Sequence, residues 1–179
     1  MMGMGLKRVI VLAASLFAAG CTTEQAAPTT AGPSPFVAQL GGLWDGALTL
    51  ATVAGGECVG ATLTVGSSEP VSMSVLQNDT DLTARLISAG TGLSCNYTGR
   101  ASLNSLVIDA TACDAEILVV RCENGDARDL KLVGSSITAT MNGGVIRGTT
   151  ANTYNVFVTN TDHGVGRLVT THQYTATRR

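Results

Sequence analysis

Charge and aromatic side chains are both scarce in this chain. Of its 179 residues, 11 are basic and 13 acidic, and aromatic residues make up only 4%. Cations this sparse form no basic stripe that could follow a phosphate backbone, which argues against nucleic-acid binding. The shortage of flat rings argues against the stacking platforms of sugar and single-strand binders. The apolar run near the N-terminus, Val9 to Ala19 (VIVLAASLFAA), has eleven residues, well short of the ~20 that a membrane-spanning helix needs. Lys and Glu, both good helix formers, are few, while Gly, Thr, Ser, Val and Ala dominate. Such a mixture suits short strands and turns.

The first 20 residues read as an export signal. Lys7 and Arg8 supply a positive start, the apolar run follows, and Ala18-Ala19-Gly20-Cys21 closes the segment. Small residues directly before a cysteine resemble the lipobox of bacterial lipoproteins, although Ala18 stands where leucine is most usual. The resemblance implies cleavage after Gly20, diacylation of Cys21 and attachment to a membrane. An ordinary secretory signal cut nearby is the alternative. Thr22 replaces the aspartate that often retains such proteins in the inner membrane, so the same resemblance implies the outer membrane of a cell envelope. Each buried acyl methylene contributes ~0.8 kcal/mol, enough for two or three chains to hold durably. Without Lys7 and Arg8 the mature chain has nine basic residues against 13 acidic, a net charge of −4. Residues 21–41 hold three of the four prolines among Thr, Ser, Ala and Gly, the composition of a flexible tether behind the lipidated cysteine. A single domain is expected over 42–179.

Five cysteines are an odd count for an oxidising compartment. With Cys21 given to lipid, Cys58, Cys95, Cys113 and Cys122 remain, an even set that implies two disulfides. Three connectivities exist. Cys58–Cys95 with Cys113–Cys122 is the expected one, because the second pair closes a short loop. On the chain-entropy model these bridges contribute about 3.9 and 2.7 kcal/mol. If 116–121 paired as a straight hairpin with 102–112, Cys122 would end far from Cys113, and Cys95–Cys122 becomes the alternative.

From Leu43 onward the dominant period is two. Trp44, Gly46, Leu48 and Leu50 share one parity; Val71, Met73 and Val75 alternate with serines; Leu106 and Ile108 share a face. Leu130 and Leu132 flank Lys131, and Ile137, Ala139 and Met141 alternate with Ser and Thr. Tyr154, Val156 and Val158 continue the pattern, as do Val165, Arg167, Val169 and Thr171. This is the pattern of a sheet with one buried face. Turn signals such as Asn78-Asp79, Asn142-Gly143-Gly144 and Asp162-His163-Gly164 punctuate these runs at short intervals. About eight to ten strands result. Only 79–88 offers a helical reading, and its Thr and Ile fit a strand equally well. Consecutive strands joined by tight turns predict an all-β, disulfide-braced, up-and-down antiparallel barrel, with a β-sandwich as the alternative.

Gly42-Leu43-Trp44 resembles the G-x-W on the first strand of lipocalin-type (calycin) barrels. The resemblance implies that Trp44 plugs one barrel end beneath an arginine of the last strand, here Arg178 or Arg179. Other lipocalin motifs and the helix before the last strand are absent. A shared architecture of this kind carries little about ligand.

Catalytic chemistry finds little footing. Only two histidines occur, His163 in a turn signal and His172 in a strand-like stretch, with no carboxylate or cysteine cluster at metal-ligand spacing. Ser67-Ser68-Glu69 lacks the glycine frame of a nucleophile elbow. The pairs Asp79/Asp81 and Asp126/Asp129 fall in turns, and Asn124-Gly125-Asp126 lacks the glycine position and closing glutamate of a calcium loop. No cofactor, metal or catalytic residue is expected, and an enzyme ranks last. The expectation is an envelope lipoprotein that serves as a structural or interaction module for an envelope protein, its barrel filled by Ala, Gly and Val. The alternative is a lipocalin-like carrier of a small apolar ligand, which a mouth lined with bulky apolar side chains would favour. For the anchor, Cys21→Ser should release the protein from membranes or block its processing. Membrane fractionation checks this, and wild-type retention of the variant would sink the lipoprotein reading.

Overall fold

The computed structural model describes residues 37–55, 63–114, 117–122 and 124–179. The export segment, Cys21 and Cys58 lie outside them. Nine strands run through the described residues: β1 (Gly42–Ala54), β2 (Ser68–Asn78), β3 (Asp81–Ser88), β4 (Ser94–Ser102), β5 (Ser105–Asp114), β6 (Leu118–Arg121), β7 (Ala127–Asn142), β8 (Val145–Val158) and β9 (Gly164–Arg178). They form one antiparallel sheet in the order β5-β4-β3-β2-β1-β9-β8-β7-β6, and β5 also pairs with β7. That last pairing closes eight strands into an up-and-down barrel and leaves β6 as an extra strand beside β7. A sandwich would need two separate sheets, whereas this ladder is continuous. The segment with a helical reading is a turn leading into β3.

Alternation places the barrel interior. Trp44, Leu48 and Leu50 face inward from β1, Val71, Met73 and Val75 from β2, and Leu82, Ala84 and Leu86 from β3. Register shifts interrupt four of the strand pairings, and two of them show how the parity resets. One between Leu50 and Thr52 turns Val53 inward. The other, between Leu132 and Gly134, hands the inner face of β7 from Leu130 and Leu132 to Ser135, Ile137 and Ala139. A bulge inserts one residue and so flips every side chain beyond it. On β9 the inner parity is Leu168, Thr170, Tyr174 and Ala176, while Val169 points outward at 38% exposure. Of the alternation seen in the sequence, Arg167 and Val169 therefore lie on the outer face, whereas Val165, at the register shift opposite Val156 and Phe157, packs against the Leu168 cluster.

One end of the barrel is shut. Trp44 is 1% exposed and its indole Nε1 donates to the Leu40 carbonyl at 2.8 Å. Arg178 lies over the ring with its guanidinium carbon 5.0 Å from the centroid, and donates through Nη2 to the Gln39 carbonyl. Such a cation–π contact contributes ~0.5–1 kcal/mol where exposed. Arg179, the other candidate partner, instead pairs with Asp45 at 2.6 Å. Ala38 and Leu40, from the stretch whose composition reads as tether, are buried in the same plug. The Gln77 carboxamide straps them there, accepting from Leu40 N at 2.6 Å and donating to the Ala38 carbonyl at 2.8 Å.

The disulfide pairing differs from the expected one. Cys95 is bonded to Cys113, so neither Cys58–Cys95 nor Cys113–Cys122 forms, and the Cys95–Cys122 alternative falls with them. Cys122 is disulfide-bonded as well. The register explains the bond: Cys95 and Cys113 are opposed residues of β4 and β5, their Cα atoms 4.1 Å apart. Loop length favoured the short Cys113–Cys122 bridge, but strand register decides the partner; and because β6 pairs with β7 and not with β5, the straight hairpin that pointed to Cys95–Cys122 does not form either. A cross-link spanning 18 residues contributes about 3 kcal/mol.

Close strand approach requires glycine at Gly148, where an added Cβ would lie 2.1 Å from the Thr138 carbonyl oxygen and 2.4 Å from Ala139 Cα. Gly134, at the bulge, would meet nothing within 4 Å. Gly148→Ala should therefore destabilise by roughly 1–3 kcal/mol through backbone displacement. Gly134→Ala should be neutral or stabilise by up to about 1 kcal/mol through a less flexible unfolded chain. Urea titration of the two variants checks the contrast.

Candidate functional site

Following β7, β8 and β9 from the Trp44 end shows how the interior changes. Met141, Ala139 and Ile137 on β7, Ile146 on β8, and Ala176 and Tyr174 on β9 belong to or pack on the large apolar core. Next come Ser135, then Thr150 and Asn152, then His172 and Thr170, on the same three strands. Beyond them Leu130, Val156 and Leu168 form a second, smaller apolar cluster with Val120 and Cys122. A polar belt thus crosses the barrel between two apolar zones.

Part of this belt is fully satisfied. Ser135 Oγ donates to Asn152 Oδ1 at 2.7 Å, so its one proton is committed, and the 2.8 Å contact with Tyr97 must be a donation from the phenol. Burial raises the Tyr97 pKa, and the bond to Ser135 offsets part of the rise. Tyr174 is pushed far above the ordinary range by burial, with the neighbouring Tyr97 adding to it. Burial also raises Tyr154, while Thr170 and Asn152 beside its hydroxyl oppose the rise, although Thr170 Oγ1 does not reach hydrogen-bond geometry. All three phenols stay neutral. Two further polar atoms of the belt, Thr150 Oγ1 and His172 Nδ1, are buried without a hydrogen-bond partner. Such groups are uncommon in folded proteins and cost roughly 1–3 kcal/mol each.

His172 leads to the open end. It pairs in register with Leu50 of β1 and lines a pocket of about 320 Å³. Leu48 and Leu50 form one wall, and Leu63 with Leu118, Val119 and Val120 forms another. Ser67, Ser68, Glu69 and Thr91 complete the rim. Glu69 is held in place: Ser88 Oγ donates to its Oε2 at 2.5 Å, Thr91 Oγ1 donates to Ser88 Oγ at 2.9 Å, and Gly90 packs on the carboxylate. The volume lies at the lower end of the ~300–1,000 Å³ of small-molecule pockets, and an apolar lining with a few fixed polar groups is their usual chemistry.

On the strand ends and turns here Asp114, Asp126, Asp129 and Asp162 offset Arg121, Arg128, Lys131 and Arg167 among the described residues. Within the described pocket lining Glu69 is the only charged side chain.

The other residues singled out by sequence are structural. The Asp126 carboxylate accepts from Asn124 Nδ2 in its own turn and from Arg128, Asp129 accepts from Asn160 N at 3.0 Å, and Asp81 pairs with Arg100. His163 is exposed in the β8–β9 turn, and its backbone N–H donates to Thr161 Oγ1. Among the described residues no group of three potential metal ligands gathers. Glu69 and His172 were visible in the sequence, but nothing there showed that they meet at one mouth. No family model, curated protein or solved structure matches this chain.

His172 carries a pH signature. Burial lowers its pKa below the ordinary 6.5, with Glu69 opposing in part. The folded state therefore resists a proton that the unfolded chain accepts, so the associated stability is complete above pH 6.5 and is lost as pH falls below it. His172→Gln should flatten the loss of stability between pH 7.5 and 5.5 measured by urea midpoint. An unchanged pH slope would show that His172 titrates normally.

Proposed function

We propose that the protein is a lipid-anchored envelope protein that binds a small molecule in the open mouth of its barrel. The observation that carries this reading is the pocket of about 320 Å³, walled by Leu48, Leu50 and Leu118 and floored by His172. The composition of the inner strands favours a filled barrel and hence a structural module, and the Trp44 half is indeed filled. The other half is lined by bulky apolar side chains around a space, as a carrier requires. Binding is favoured over catalysis, because Ser88, the hydroxyl beside Glu69, is 1% exposed and out of reach of a substrate. The lipobox-like Ala18-Ala19-Gly20-Cys21 and the tether behind it support an envelope location, the outer membrane being preferred.

Trp44 sits in the opposite end and will not report on the mouth, so an external probe is needed. N-phenyl-1-naphthylamine, uncharged at neutral pH, should gain fluorescence on binding. Leu50→Arg, which puts a charged side chain into the wall, should weaken that binding about ten-fold, or ~1.4 kcal/mol. Absence of enhancement, or a Leu50→Arg variant that binds as wild type does, would refute the pocket as a binding site.

A further inference from the structure

Resting on that reading, we infer that the mouth selects a ligand with a compact aliphatic body and one protonated amine, the amine meeting the Glu69 carboxylate. Two observations carry the inference. Glu69 is the only charged side chain among the described pocket residues, and Ser88, Thr91 and Gly90 fix its position. A charged acceptor held in this way forms the stronger class of hydrogen bond with a cationic donor.

An ammonium carries three donors and can meet this carboxylate directly, whereas a carboxylate ligand is repelled by it.

The second observation is the lining around that carboxylate, which among the described residues holds no basic side chain to cancel it. A cleft of one sign concentrates ligands of the other and repels those of its own. Leu48, Leu50 and Leu118 then cover the aliphatic body. The small volume excludes a long-chain lipid.

Octylamine, 1-octanol and octanoate share a chain length and differ in head group, and octylamine is protonated at neutral pH as a lysine side chain is. Calorimetry on the wild-type protein at low salt should rank octylamine about ten-fold tighter than octanol, with octanoate weakest. Glu69→Gln keeps an acceptor for Ser88 and for an alcohol, and should bring octylamine to within about two-fold of octanol, octylamine losing far more affinity than octanol does. Thermal denaturation of the variant confirms that it folds. Equal binding of all three probes, or an octylamine preference that survives Glu69→Gln, overturns the amine selectivity and leaves the pocket standing. If none of the three binds, both the selectivity and the pocket reading fall.

Discussion

Closure of the barrel depends on a short seam. Only Ser105–Asp109 of β5 pairs with Thr140–Ser136 of β7, five opposed residues that join the two edges of an otherwise open sheet. Above Asp109 the edges part, and β7 continues toward its N-terminus beside β6 instead. Everything at the open end follows from this. Strands β7, β8, β9 and β1 run past the seam, their inner faces need cover, and β6 supplies it through Leu118 and Val120. An edge that ends early would otherwise expose unpaired backbone groups and an apolar face. The pocket is the space left between that cover and the barrel wall.

The two ends are built on different principles. At the Trp44 end the chain itself fills the barrel, with Leu40 and Ala38 folded in and Gln77 and Arg178 bonding to the same segment. Dense apolar packing of this kind leaves no room for a ligand. At the other end the interior turns polar before the barrel finishes. The Tyr97–Ser135–Asn152 chain satisfies its own members, whereas His172 Nδ1 and Thr150 Oγ1 are left without partners. Each of these groups costs stability that the surrounding apolar packing must offset.

The absence of any matching family or fold neighbour places the weight of the functional reading on physical chemistry alone. Fold by itself would say little, because barrels of this kind serve many unrelated roles. The combination at the mouth is more informative: aliphatic walls around one fixed carboxylate. The walls would restrict the size of an occupant and the carboxylate its charge.

Period-two patterning and turn residues determined the strand content, the single all-β domain and the antiparallel order, because local alternation and glycine-rich turns act over a few residues. Gly42-Leu43-Trp44 and the terminal arginines likewise announced the plugged end. Only the tertiary structure decided the disulfide partners, since opposed positions in β4 and β5 depend on register and a bulge, not on loop length. It also decided which face of β9 is buried. Thr170, His172 and Tyr174 look like an outer face by hydropathy and become the inner one because β9 is set in register with inward-facing residues of the flanking strands, His172 beside Leu50 and Thr150 and Tyr174 beside Leu48. The mouth was illegible for the same reason. Glu69 and His172 are about a hundred residues apart in the chain, and only closure of the sheet puts them in one pocket.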